Sequence, residues 1–311
     1  MSSVIRVRAF AKINLSLRVL GTRADGFHDL RTVFQSIALH DTLTLRRTRG
    51  PLALTVGDGV VSVPGPSRVR PGSVPVDRTN LVWRAAETLW TTARRRGMAR
   101  GIAIHLAKRI PVQAGLGGGS SDAAATLRAL ARIWRVDEGY VYRAAAQLGS
   151  DVPFYLEGGT VLGLERGDVL FPLLDRPRAW VVLVIPPFGV STPEAFRWWD
   201  VRSASDVHPK DVRSASDVHP KWLRSGSDVV GVNDLQGPVA AHHPEVTLLV
   251  RALNRAGADL AAMSGSGSAV FGLFPTRSAA DRAARRLAAP DRRILVTRTL
   301  TRAEHRRLAG N

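Results

Sequence analysis

The chain has 311 residues with a hydrophobic fraction of 45%, enough for a large core and two lobes, and no apolar run approaches the roughly 20 residues that span a bilayer. It has no cysteine and no signal-peptide-like N-terminus, which excludes disulfides and thiolate metal sites and leads us to expect a cytoplasmic protein without a membrane partner. Its net charge of +18 suggests binding to nucleic acid. The basic residues are mostly dispersed arginines, however, so we expect a solvated basic surface and no nucleic-acid partner.

The hydrophobic pattern predicts strands and helices that are mixed without regular alternation. Strands are predicted over 4–9, 36–47, 102–107, 158–163, 180–185, 258–262, 269–274 and 293–299. Helices are predicted over 81–96 with Asn80 as N-cap, over 123–134 and 138–148, from 243 to about 255, and from 278 onward. This mixture favours an α+β fold of two layers.

A tandem repeat interrupts this pattern. Residues 201–211 recur almost unchanged over 212–222, and 223–229 form a decayed third copy. The repeat is rich in Ser, Asp and Arg and has too little apolar surface to fold alone, so we interpret 201–229 as a surface insertion. Its His208 and His219 are interpreted as solvated loop histidines and not as metal ligands.

A glycine-rich segment stands between the strand predicted to end at 107 and the helix predicted to begin at 123. Its residues are Pro111, Val112, Gln113, Ala114, Gly115, Leu116, Gly117, Gly118, Gly119, Ser120 and Ser121. Glycines let backbone N–H groups approach an anion without interference from Cβ, and a helix N-terminus adds its positive dipole end. The segment is therefore predicted to bind phosphate. A flexible linker is the alternative, and the periodic patterns on both sides argue against it.

Two familiar phosphate loops are excluded by spacing. A Walker A loop ends in Gly-Lys-Ser/Thr, whereas Gly119 is followed by Ser120, and the nearest lysine, Lys108, precedes the segment. The dinucleotide fingerprint requires glycine or alanine at position 120 and a second strand ending in an acidic residue, where this chain has a helix pattern. Hydride transfer is therefore set aside.

Three segments in this order resemble the GHMP family of small-molecule kinases. They are Ala11-Lys-Ile-Asn-Leu with Asp25-Gly-Phe-His, the glycine-rich segment 111–121, and Met263-Ser-Gly-Ser-Gly-Ser. The resemblance implies a two-lobed GHMP kinase fold with an N-terminal ribosomal-protein-S5-like lobe and a C-terminal α/β-plait lobe. We place these lobes at 1–160 and 161–300, with 301–311 as a tail.

The first segment narrows the resemblance to members that phosphorylate the 2-hydroxyl of 4-diphosphocytidyl-2-C-methyl-D-erythritol in the non-mevalonate isoprenoid pathway. It implies that ATP lies along 111–121 and that Mg²⁺ bridges its phosphates, while the sequence names no protein ligand for the metal. Asp151, just after the helix-ending Gly149, matches the family's general base. Lys12 matches the lysine that stabilises this aspartate and the nascent alkoxide.

Substrate recognition is implied to come mainly from the first segment. Asn14 would contact the methylerythritol end, and Phe27 and His28 would hold the cytosine, with Phe196 as the second ring of a sandwich. Phe27 replaces the commoner tyrosine, which keeps the stacking face and loses a hydroxyl. The alternatives left open are another GHMP activity on homoserine or a mevalonate-type alcohol, an RNA-binding module, and an inactive duplicate.

Overall fold

The computed structural model describes residues 4–58, 74–205 and 231–310, so the predicted insertion beyond 205, with His208 and His219, lies outside the described residues. The strands are β1 (Val4–Thr22), β2 (His28–Pro51), β3 (Ala53–Asp58), β4 (Arg100–Lys108), β5 (Thr160–Glu165), β6 (Val169–Pro172), β7 (Trp180–Ile185), β8 (Leu260–Met263), β9 (Val270–Phe274) and β10 (Arg293–Arg298). The helices are α1 (Leu81–Thr92), α2 (Gly118–Trp134), α3 (Glu138–Leu148), α4 (Val152–Glu157), α5 (Thr192–Ser205), α6 (Gln236–His242), α7 (Glu245–Arg255), α8 (Arg277–Leu287) and α9 (Arg302–Ala309). None of these helices is long and apolar enough to cross a membrane.

The first lobe is built on a six-stranded sheet around the long strand β2. On one edge of β2 lies β1, paired antiparallel, and on the other lie β4 and β5; β3 extends the sheet beyond β4, and β6 beyond β5. The strand β1 is longer than the predicted strand 4–9. Its pairing with β2 has three register shifts, the first between Phe10 and Lys12. Each shift interrupts the period of two although pairing continues, so alternation alone could not follow the strand.

Helices α1 to α4 share a core with this sheet. Leu89 of α1, Leu127 of α2 and Phe154 of α4 are fully buried in one cluster with strand residues. Asn80 caps α1 as predicted, since its side chain accepts a hydrogen bond from the Val82 N–H at 2.8 Å. The helix ends at Thr92, earlier than predicted.

The second lobe is a four-stranded antiparallel sheet in the order β10-β7-β9-β8. Helix α7 packs on β8 and β9, and α8 packs on β7 and β10. Helices α5 and α6 were not predicted, and α5 continues to Ser205, so residues 201–205 of the predicted insertion are helical. The two lobes with their mixed elements confirm the predicted α+β class.

A third hydrophobic cluster joins the lobes. Ile13 and Ile37 of the first sheet pack with Leu183 and Phe271 of the second, together with Leu116 of the glycine-rich segment. The segment therefore lies within the interface between the sheets. Strands β5 and β6, which follow residue 160 in the chain, pair within the first sheet. The lobe division at residue 160 stays a prediction.

The residues assigned to a C-terminal tail form α9, which contacts β1. A capping box starts this helix: the Thr301 hydroxyl accepts from the Glu304 N–H, and the Glu304 carboxylate accepts from the Thr301 N–H, each at 3.2 Å. His305 is buried, with its Nε2 at 3.1 Å from the Tyr155 carbonyl oxygen. Burial lowers the pKa of His305 to about 4.

We expect the free energy of unfolding to fall as the pH is lowered from 6.5 to about 4, the normal and lowered pKa values of His305. In this window the unfolded chain binds a proton at this histidine and the folded protein does not, so protonation favours unfolding. Above about pH 6.5 the titration of His305 costs no stability. Between pH 6.5 and about pH 4 it lowers the free energy of unfolding by about 3 kcal/mol. Urea unfolding of the wild type and His305→Gln across this range measures it. A constant difference between the two stability curves would contradict the expectation.

Candidate active site

A cavity of about 660 Å³ opens between the two lobes and is lined by the glycine-rich segment. Residues 111–120 line it, as do Lys12, Asn14 and Asp151. Ser121 does not line the cavity, because it is buried and its hydroxyl donates to the Phe10 carbonyl oxygen at 2.7 Å. The structure thus brings the predicted phosphate segment to the residues predicted to act on the acceptor.

Positive φ angles and close contacts explain two glycines of the segment. Gly115 and Gly117 have φ of 68° and 67°, in the left-handed region that favours glycine. A Cβ on Gly115 would lie 1.9 Å from the Ser264 carbonyl oxygen, and one on Gly117 would lie 1.8 Å from the Tyr155 hydroxyl. Gly117 is the N-cap of α2, so the free N–H groups and the positive dipole end of this helix lie beside the cavity. This arrangement suits an anion.

The Lys12 ammonium lies between an amide and a carboxylate. Its Nζ donates to Asn14 Oδ1 at 2.6 Å and lies 3.6 Å from Asp151 Oδ2. Lys12 is buried, and this burial lowers its pKa while the charge of Asp151 opposes the shift. Asp151 immediately precedes α4, and its side chain is 33% exposed. A carboxylate open to the cavity therefore has a buried cation as its neighbour.

A chain of hydrogen bonds sets the orientation of Asn14. Its Nδ2 donates to Thr32 Oγ1 at 2.7 Å, and the Thr32 hydroxyl donates to the Ser16 carbonyl oxygen at 2.7 Å. Since the amide nitrogen is used in this way, the amide oxygen is held toward Lys12. The antiparallel pairing of β1 and β2 brings these side chains together.

A second lysine with a buried side chain, Lys108, is the last residue of β4, and its ammonium lies beside the start of α2. Its Nζ donates to Asp41 at 2.5 Å and to Asp122 at 2.8 Å. Burial alone would lower the pKa of Lys108, but the carboxylates of Asp122 and Asp41 together outweigh it and raise the pKa. Burial raises the pKa of Asp122, whose Oδ1 has no hydrogen-bond partner among the described residues. Sequence reasoning missed this cluster, although Lys108 is one of only four lysines in the chain.

One part of the cavity is lined by residues just before α1 and at its first position. These residues are Val74, Pro75, Thr79, Asn80 and Leu81. Its apolar walls and the polar Asn80 and Thr79 suit a flat heterocycle attached to a phosphate chain.

The cavity reaches one of the three predicted base-binding rings. Phe196 lines it, whereas Phe27 and His28 are not among its lining residues; the His28 ring stacks on Phe196 with centroids 4.5 Å apart and planes at 21°. His28 Nε2 lies 2.8 Å from Asp200 Oδ1. Phe27 is 56% exposed and lies under the Arg166 guanidinium, 5.4 Å from its ring centroid. The structure thus joins His28 to Phe196 and places Phe27 beside Arg166.

The loop after β8 closes the site from the second lobe. The Ser264 hydroxyl donates to the Gly115 carbonyl oxygen at 2.9 Å, and Gly265 lines the cavity. Asn233 Nδ2 donates to the Gly265 carbonyl oxygen at 2.8 Å. A Cβ on Gly265 would lie 3.1 Å from Lys12 Nζ, so this loop also approaches the catalytic lysine candidate closely.

Comparison with known proteins gives consistent matches. Residues 80–159 match the family described as GHMP kinases N terminal domain, and 220–292 match GHMP kinases C terminal. A 4-diphosphocytidyl-2-C-methyl-D-erythritol kinase of Heliobacterium modesticaldum is 39% identical over 323 residues, covering 96% of this chain and 97% of that protein. The enzyme of the same name from Pelotomaculum thermopropionicum is 42% identical over 300 residues, covering 95% and 98%.

Solved structures agree with these matches. A crystal structure of 4-(cytidine 5'-diphospho)-2C-methyl-D-erythritol kinase superposes with a TM-score of 0.74 at 33% identity, covering 95% of this chain and 99% of that one. A mevalonate kinase of L. major in complex with R-mevalonate gives a TM-score of 0.66 at 16% identity, with 96% and 97% coverage. The second likeness shows the fold alone.

We expect Gly115→Ala to destabilise the protein by at least about 1–2 kcal/mol, because alanine is strained at its positive φ and its Cβ would meet a carbonyl oxygen. Gly119→Ala is the matched control, since its Cβ would meet only Leu81 Cδ1 at 3.3 Å. It should change stability by less than about 1 kcal/mol. Thermal unfolding of both variants makes the comparison. Equal losses would mean that the close approach at Gly115 is unimportant.

We expect Lys108→Met to destabilise the protein by about 3–5 kcal/mol, because it leaves the carboxylates of Asp41 and Asp122 buried without their cation. Adding Asp122→Asn should restore part of the loss, since it removes one of the two buried charges. Denaturant unfolding of the single and double variants tests this coupling. Strictly additive losses would contradict it.

Proposed function

Because this chain belongs to the GHMP kinases, and within them to the 4-diphosphocytidyl-2-C-methyl-D-erythritol kinases, we propose that it phosphorylates the 2-hydroxyl of 4-diphosphocytidyl-2-C-methyl-D-erythritol. It is a phosphotransferase that uses ATP. The activity belongs to the non-mevalonate route of isoprenoid synthesis.

The observation that carries the proposal is the Lys12–Asp151 pair at the N-terminal end of α2. Asp151 Oδ2 lies 3.6 Å from Lys12 Nζ, and both residues line the cavity beside the glycine-rich segment. In the proposed mechanism Asp151 accepts the proton of the substrate hydroxyl. The Lys12 ammonium stabilises the carboxylate and the alkoxide that forms. Asn14, held by Thr32, fixes the position of this ammonium.

ATP is proposed to lie along residues 111–120. The free N–H groups of the segment and of the first turn of α2 would hold its phosphates, and the part of the cavity lined by Asn80 and Leu81 would take its base. This leaves the γ-phosphate at the Lys12 end of the cavity. Phosphoryl transfer needs such positioning more than covalent participation of the protein.

Mg²⁺ is proposed as the second cofactor, since a bound triphosphate is normally neutralised by this ion. Residues that fit it are Ser120, which lines the cavity, and Asp122, whose buried Oδ1 has no hydrogen-bond partner among the described residues. Both offer the oxygen atoms that Mg²⁺ prefers. When bound, the ion would neutralise charge on the transferring phosphoryl group.

The acceptor is proposed to occupy the part of the cavity lined by Phe196. Asn14 would contact its methylerythritol end, and Phe27, His28 and Phe196 would hold the cytosine. Mevalonate and homoserine kinases share this fold at 14–18% identity, which supports neither of their substrates for this chain. We further propose that the protein acts in the cytoplasm on small molecules, without a nucleic-acid partner.

The test is a product assay with ATP, Mg²⁺ and the cytidylyl substrate. Wild-type protein should form a new phosphate ester. Asp151→Asn should lower kcat about 10²- to 10⁴-fold with ATP affinity kept, because the base is lost while the residues proposed to hold ATP are unchanged. Asp137→Asn is the matched control, since Asp137 also precedes a helix without capping it and lies away from the cavity. Homoserine and mevalonate serve as competing acceptors. Phosphorylation of either alcohol in place of the cytidylyl substrate would overturn the proposal.

A further inference from the structure

The imidazole of His28 is held on three sides by residues of α5. It stacks on Phe196, and Trp199 meets it edge-on with centroids 5.6 Å apart at 89°. The third contact is polar, from Nε2 to Asp200 Oδ1 at 2.8 Å. The His28 side chain is 8% exposed and that of Asp200 is 45% exposed. Ring position and ring rotation are therefore both fixed by one helix.

The hydrogen bond to Asp200 decides which nitrogen of His28 carries the proton. An ionised carboxylate only accepts hydrogen bonds, so Nε2 must be the donor. In the neutral ring this leaves Nδ1 as an acceptor. Among the described residues the hydrogen bond of the ring is the one at Nε2, and Nδ1 does not belong to the fully buried polar atoms without a partner, so Nδ1 is accessible. The structure thus presents one acceptor nitrogen beside the ring of Phe196.

We propose that Asp200 is a positioning residue that makes the enzyme select an aminopyrimidine: it fixes His28 as the Nε2–H tautomer, and Nδ1 then accepts a hydrogen bond from the exocyclic amino group of cytosine. This inference rests on the proposed function, which already assigns the cytosine to His28; what it adds is the role of Asp200.

The selection follows from the chemistry of the two pyrimidines. Cytosine presents an amino donor at the position where uracil and thymine present a carbonyl acceptor. An acceptor at Nδ1 forms a hydrogen bond with the amino group of cytosine. With the carbonyl oxygen of uracil it would place two lone pairs against each other, which is repulsive. A histidine free to change tautomer would donate to uracil as readily as it accepts from cytosine. The Asp200 carboxylate removes this freedom.

The experiment compares the cytidylyl substrate with its uridylyl analogue. For the wild type, kcat/KM should be at least about tenfold higher with the cytidylyl substrate, which corresponds to about 1.4 kcal/mol. Asp200→Asn should reduce this preference toward unity, because an amide can either accept from or donate to Nε2. The change should appear mainly in KM, with kcat within about threefold of the wild type, since the reacting hydroxyl is untouched.

Asp29→Asn is the matched control. Asp29 is adjacent to His28 and equally exposed at 46%, but its carboxylate accepts from Arg23 Nη1 at 2.6 Å. It should leave the base preference unchanged. Thermal unfolding of both variants checks that neither has lost its fold.

Nitrogen-15 NMR of the histidine rings provides a readout that needs no catalysis. The wild type should show His28 protonated at Nε2 alone, and Asp200→Asn should show a tautomer mixture. An Nδ1–H or doubly protonated ring in the wild type would overturn the inference, as would an unchanged base preference in Asp200→Asn. The proposed function has its own failing result, which is that wild-type protein forms no phosphate ester. In that case calorimetric binding of CDP and of UDP to the wild type and to Asp200→Asn measures the base preference without catalysis.

Discussion

The site depends on how closely three backbone segments approach one buried ammonium group. Strand β1 supplies Lys12, the glycine-rich segment passes it at Gly117, and the loop after β8 reaches it at Gly265. Side chains at these two glycines would come within about 3.3 Å of Lys12 atoms or overlap Tyr155. A Cβ on Gly117 would push the glycine-rich segment away from Tyr155 within the first lobe, and a Cβ on Gly265 would crowd Lys12 from the second lobe. The two glycines therefore allow the close packing around Lys12.

The two lysines beside the glycine-rich segment have opposite electrostatic surroundings. Lys108 lies between two buried carboxylates, and its pKa is raised, so it keeps its charge as part of the support of α2. Lys12 has one partly exposed carboxylate, and burial lowers its pKa. An ammonium group beside a single, partly exposed carboxylate can stabilise a further negative charge. An ammonium group held between two buried carboxylates is already neutralised by them. The difference explains why Lys12 suits an acceptor alkoxide and Lys108 does not.

One helix of the second lobe holds the ring of a histidine in the first lobe. Helix α5 provides Phe196, Trp199 and Asp200, all in contact with His28 of the first lobe. The sequence pointed to His28 and Phe196 through the family resemblance alone. Asp200 immediately precedes the tandem repeat, which we interpret as a polar surface insertion. Nothing in the sequence pattern therefore marks Asp200 as the partner of a histidine in β2.

The sequence by itself indicated the class of fold and the glycine-rich segment, and through the family resemblance it predicted Lys12 and Asp151 as catalytic residues, because glycine spacing and short motifs are local properties of the chain. It also determined the cap of α1, since an asparagine before an apolar helix acts over three residues. Only the tertiary structure decided that Lys108 joins Asp41 and Asp122, and that residues 302–309 form a helix packed on the first lobe. Lys108 and Asp41 lie 67 positions apart in sequence, and no periodicity connects residues that meet only when the sheet is paired.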